Sequence, residues 1–180
     1  GQAIDGYLVG ATVFQDVNGN GVLDTGEPFA TTDQTGAFEL DATLAEGDTL
    51  YVTGGYDLGT GKPNDHKFKL TVSSTGAAGG EALVVSPVST QVSRAYAKSG
   101  VTLEQALAKI GEAYGLDEAF PNLTNFDPIA LAYSATTDAE AKAALTAQAK
   151  NIMVSTLGEV SVKVSEYFTS SIAPTVRKQI

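Results

Sequence analysis

The chain has 180 residues, 43% of them hydrophobic, no cysteine, and 21 acidic against 11 basic residues for a net charge of −10. That length and apolar content suit one compact domain or two small ones with a real core. The absence of cysteine excludes disulfides, thiolate chemistry and cysteine-ligated zinc. The acidic surplus argues against nucleic acid and anionic membranes as partners. No apolar run reaches the roughly 18 residues of a membrane span, so membrane insertion is not expected. The opening "GQAIDG" reads as a cut from something longer, so the chain is taken as an excised module without a signal peptide.

The composition changes near residue 86. Before it, "GYLVGATVFQD", "GAFELDA", "DTLYVTGG", "HKFKLTVSS" and "EALVVSP" each read as a strand. Turn-forming stretches separate them: "NGNG", "DQTG", "AEGD", "GTGKPND" and "STGAAGG". After residue 86, Gly thins out and Ala, Leu, Glu, Gln and Lys dominate. A helix is expected over 88–98. A second, over 102–115, starts at a capping box of Thr102 with Gln105 and stops at Gly115, with Leu103, Leu107 and Ile110 on one face. A short helix is expected over 128–134. Thr137 with Glu140 opens a last, long helix whose apolar side draws on Leu145, Ile152 and Leu157.

These elements predict an α+β fold. A small antiparallel β-sandwich-like half, residues 1–86, packs with a helical half, residues 87–180, as a single module. The junction "LVVSPVSTQVS" passes from strand to helix without a linker. With no disulfides, bound calcium is the expected staple.

The calcium expectation rests on "DVNGNGVLDTGE", residues 16–27. Asp16, Asn18 and Asn20 stand at loop positions 1, 3 and 5 of an EF-hand-like pattern. Gly21 takes the sharp turn, Val22 lends a carbonyl, Asp24 binds directly or through water, and Glu27 closes the site as a bidentate carboxylate. Hard oxygen donors in a flexible loop select Ca²⁺ over Zn²⁺. The flanks are not helical: a strand precedes the loop and Pro28 follows it. Affinity is expected on the order of 10⁻⁴ to 10⁻³ M, as in extracellular modules. The alternatives are a metal-free polar turn and an ion that touches the ligand directly.

Two further stretches are candidate ligand sites. In "GGYDLGTGKPND", residues 54–65, Gly54, Gly55, Gly59 and Gly61 allow backbone amides to form an anion-binding nest. Tyr56 adds a flat surface, and Asp57 and Thr60 add oxygens. The alternative is an ordinary flexible connection. In "SPVST", residues 86–90, a helix start with the Ser89 and Thr90 hydroxyls suits a carboxylate, or is simple N-capping. His66 is the only histidine and belongs to no catalytic motif, so no enzyme activity is expected.

"IDGYLVGATVFQDVNGNGVLDTGEPFATTDQTGAFEL", "GGYDLGTG", "VVSPVSTQVS", "GVTLEQALAKIGEAYGL" and "NFDPIALAYS", in that order, resemble the peptide-binding domain of giant bacterial repeats-in-toxin (RTX) adhesins. The resemblance spans about residues 4–164. It implies a monomeric extracellular module on the cell surface, within a larger secreted adhesin. Such a module binds the free C-terminal tails of proteins on other cells in a Ca²⁺-dependent way and supports cell adhesion and biofilm formation. Peptide contacts are expected at Gly54, Gly55, Asp57, Thr60 and Gly61, with Ser89 and Thr90. The alternatives are a calcium-stiffened spacer module and a carbohydrate-binding module, since Tyr56 beside Asp57 also suits a sugar.

Overall fold

The computed structural model of the chain describes residues 1–98, 100–117, 120 and 123–171, with side chains as far as residue 154. Its strands are β1 (Gln2–Ala3), β2 (Leu8–Val9), β3 (Thr12–Gln15), β4 (Phe29–Thr31), β5 (Thr49–Thr53), β6 (Tyr56–Asp57), β7 (Lys67–Thr71) and β8 (Val84–Val85). Its α-helices are α1 (Ser74–Ala77), α2 (Pro87–Tyr96), α3 (Leu103–Ala113), α4 (Pro128–Ser134) and α5 (Asp138–Ser171). The mixed α+β class is as expected. The centre of the strand-rich half is an antiparallel sheet of order β4-β3-β5-β7, and the short pairs β1-β8 and β2-β6 flank it.

Alternation decides which face of the sheet is buried. Val13, Leu50, Val52 and Phe68 turn to one side and meet Ala3, Leu8, Phe38 and Val85 in a first core. A second core joins Val88 and Val92 of α2, Leu103 and Ala106 of α3, Phe126, and Ala147 of α5. Helix α2 connects the two halves because its other side lies along β7.

That contact closes one edge of the sheet. Strand β7 has no neighbour beyond it, yet its Lys69 N–H donates to Thr90 Oγ1 at 2.9 Å. The Lys69 carbonyl accepts from Ser89 Oγ at 2.6 Å, and Thr71 Oγ1 donates to Ser93 Oγ at 2.9 Å. A row of helix hydroxyls thus stands in for a fifth strand and satisfies an otherwise open edge.

Three expectations need correction. "GAFELDA" forms no strand: the Asp33 carboxylate takes the Thr35 and Ala37 amides, so the chain turns there, and Ala37 keeps only an isolated bridge to Gln2. Strands β4 and β6 form where turn-like sequence gave no signal: β4 folds back on β3 across the 16–27 loop, and β6 pairs with the remote β2. The buried side of α5 is Ala144, Ala147, Asn151 and Val154, whereas Leu145 is 63% and Ile152 48% exposed. Small side chains win the inner face because they allow close helix approach, and Asn151 Oδ1 reaches the Val88 amide at 3.4 Å. The Leu157 side chain lies outside the described residues. Helices α3 and α4 follow the expected spans, and Thr102 with Gln105 forms the expected capping box. No helix among the described residues is long and apolar enough to cross a membrane.

Candidate functional site

The loop after β3 is closed upon itself. Asp16 Oδ1 accepts the Gly19 amide at 2.8 Å and the Asn20 amide at 3.2 Å, and Oδ2 accepts the Gly21 amide at 2.8 Å. Gly21 has φ +72°, the left-handed turn expected at position 6. Glu27 spans the closing side: Oε1 takes the Val17 amide at 2.8 Å and Oε2 the Asp24 amide at 2.9 Å. The side-chain amides of Asn18 and Asn20 donate to Asp24 Oδ2 at 2.7 and 2.6 Å. These bonds, that from Asn18 foremost, hold the Asp24 carboxyl below the usual carboxylate range.

The five predicted side-chain ligands, Asp16, Asn18, Asn20, Asp24 and Glu27, are thus gathered into one loop. The sixth, Val22, donates its amide to Asn20 Oδ1 at 2.8 Å and is 59% exposed. Among the described residues no three His, Cys, Asp or Glu side chains stand together as a metal-holding group. The loop's donor set is different, because Asn and backbone oxygens complete its carboxylates, and that all-oxygen chemistry fits Ca²⁺. The Asn18 and Asn20 amide groups now supply partial positive charge to Asp24. To serve as ligands they must turn their oxygens inward.

One anchor of this loop is absent from the sequence expectations. Lys67 Nζ donates to the Gly21 carbonyl at 2.7 Å and lies 5.0 Å from the Tyr51 ring centroid. Tyr51 in turn stacks on Phe14 at 5.6 Å. The loop is therefore pinned to β7 and β5. Only a signal for the register of β3, β5 and β7 would have found Lys67, because it lies 46 residues from its partner.

The glycine loop is folded differently from the expectation. Residues 56–63 form a small hairpin, with Asp57 N–H on the Lys62 carbonyl at 2.9 Å and Gly61 N–H on the Asp57 carbonyl at 2.7 Å. Its nest is filled by the protein itself. Asp57 Oδ1 accepts the Gly59 amide at 2.7 Å and the Thr60 amide at 3.3 Å, and Oδ2 accepts the Gly6 amide at 3.2 Å. A ligand carboxylate would have to displace Asp57. Gly55 is structural as well: at φ +75°, a Cβ there would stand 2.6 Å from the Val9 carbonyl. Gly54 and Gly61 also have positive φ, and Thr60 Oγ1 accepts the Lys62 amide at 3.3 Å. What the loop still offers is Tyr56, 44% exposed, and Leu58, 52% exposed.

The start of α2 also satisfies its own polar groups. Ser89 and Thr90 are buried, and their hydroxyls are bonded to Lys69 and Ser86. Pro87 has no N–H, and the Val88, Ser89 and Thr90 amides go to Asn151, Ser86 Oγ and the Ser86 carbonyl. No donor is left at this helix start for a carboxylate.

A polar seam unseen in sequence joins the N-terminal turn to the helices. Tyr7 OH donates to both Asp127 oxygens at 3.3 Å, and burial foremost, then Asp127, pushes the phenol up to about 12. Asn151 Nδ2 donates to the Asp5 carbonyl at 3.3 Å. Burial, and then the Asp57 charge, raises the Asp5 carboxyl above the usual range.

Comparison with protein-family models, curated proteins and solved structures returns no match to this chain.

Proposed function

We propose that this chain is a non-enzymatic, calcium-dependent adhesin module of the bacterial cell surface that captures the free C-terminal tails of proteins on other cells. The peptide partner comes from the resemblance to RTX adhesin peptide-binding domains, carried by the residues quoted above. The observation that supports a calcium role is the loop of residues 16–27, where Asp16, Asn18, Asn20, Asp24 and Glu27 are tied into one hydrogen-bonded turn.

The same loop is the better receptor for a peptide carboxylate. The amides of the glycine nest and of the α2 start have partners of their own. A calcium ion in a surface loop can take an external carboxylate as one of its 6–8 oxygen ligands. Around the loop, Val17, Val22 and Phe29 are 67%, 59% and 63% exposed and offer apolar contact to the last side chains of a tail. Weak single contacts suffice where many adhesins act together.

Calorimetric titration of a short peptide with a free C-terminus, and of its amidated twin, tests this reading in calcium and in chelator. Binding confined to the free form in calcium is expected. Equal binding of the amidated twin would remove the carboxylate mechanism. Calcium-dependent melting with no peptide binding would favour a stiffened spacer, a reading that the self-filled nest also supports.

A further inference from the structure

A cleft of about 490 Å³ runs between the strand-rich half and the helical half. It lies within the roughly 300–1,000 Å³ typical of ligand sites. Its floor is apolar, from Leu103 and Leu107 of α3 with Phe120 and Leu123 beyond it. Its acidic groups come from separate elements: Glu46, Glu81, Glu104 and Asp117. Among the described residues no Lys, Arg or His lines it.

Glu81 is set in place at the join of the two halves. Its Oε2 accepts from Ser73 Oγ at 3.0 Å, and its Oε1 accepts from the Thr124 hydroxyl. The remaining acids, Glu46, Glu104 and Asp117, are exposed and face solvent at the mouth. Among the described residues these carboxylates form no group of three suited to a bare metal ion. Spread around an apolar floor, they instead complement a larger organic cation whose body is apolar.

We propose that this cleft is a second binding site, independent of calcium and of C-terminal carboxylates, for an arginine or lysine side chain on an apolar stretch of a partner polypeptide. The aliphatic stem of such a side chain lies on Leu103, Leu107 and Phe120 while its charged head stays among the acids. The cleft volume exceeds what one side chain fills, which favours a stretch of chain over a free amine. An anionic tail end is repelled here, so the cleft does not compete with the calcium loop for the same group.

The test uses acetyl-Leu-Arg-Leu-amide, which has no free carboxylate, titrated into the whole chain in chelator at low salt. Its norleucine counterpart, which lacks the charge, is the first control. Saturable binding of the arginine peptide is expected, about tenfold weaker for norleucine and about tenfold weaker in the Glu104→Gln/Asp117→Asn double variant. The two substituted side chains are exposed, so an unchanged melting point will confirm that the variant is folded. Equal binding of the norleucine peptide, an unaffected double variant, or no saturable binding each overturns the proposal. Butylguanidine binding as tightly as the peptide overturns the polypeptide assignment. Because calcium and a free terminus are both absent, the outcome is separable from that of the C-terminal-tail reading.

Discussion

The Asp57 carboxylate accepts the Gly6 amide at 3.2 Å, tying the glycine loop to a turn 51 residues earlier in the chain. The same carboxylate takes the Gly59 and Thr60 amides. An anion-binding nest is thereby converted from a receptor into a joint.

Asp57→Ala should therefore act first on stability. Removing this acceptor leaves the half-buried Gly6 amide without its partner while the exposed Gly59 and Thr60 amides turn to water, at an expected cost of about 1 kcal/mol. Urea denaturation of wild type and variant measures it. Unchanged stability with lost peptide binding would mean that the nest opens to the ligand after all.

The calcium loop separates two roles for its acids. Asp16 holds three loop amides and is also a proposed ligand, so Asp16→Ala should lower the melting point in chelator and lower it further in calcium. Asp24 is bonded by side-chain amides alone, so Asp24→Ala should remove the calcium response and change little in chelator. With an affinity of roughly 10⁻⁴ to 10⁻³ M, about 10 mM calcium should stabilise the wild type by about 1.4–2.7 kcal/mol. Calorimetric melts of both variants, with and without calcium, check the pattern. A full calcium response in Asp24→Ala would remove that residue from the ligand set.

Ser89→Ala and Thr90→Val should each leave a Lys69 backbone group unpaired at the closed edge of the sheet. A loss of about 1–3 kcal/mol for each is expected, with peptide affinity unchanged in the folded protein. A variant that keeps its stability but loses the peptide would restore the α2 start as a ligand site.

Tyr7→Phe removes the bond to Asp127 and should cost about 1 kcal/mol at neutral pH. The folded phenol is raised from 10 to about 12, so its contribution is fully present below pH 10 and is lost as pH rises through about 12. The stability gap between wild type and variant should shrink over that window. A gap that stays constant there would show that Tyr7 does not titrate with folding.

Much of this protein is legible in its sequence because the signals are local. The spacing Asp16-Asn18-Asn20-Gly21-Asp24-Glu27 specifies a closed loop within 12 residues, and loop bonds of short range form it. Thr102 with Gln105 starts α3 for the same reason, since both partners of that capping box lie within one helical turn. The α+β division follows from composition and periodicity on either side of residue 86.

The tertiary structure alone decided what those local pieces face. Asp57 is drawn to Gly6, Ser89 and Thr90 to Lys69, Lys67 to Gly21 and Tyr7 to Asp127, all across long sequence separations. Leu145 looked like core by type, but helix packing turned Ala144 and Ala147 inward instead. A side chain's capacity to bind is written in its chemistry. Whether that capacity remains for a ligand depends on which buried backbone groups need it first, and only the folded chain brings those groups together.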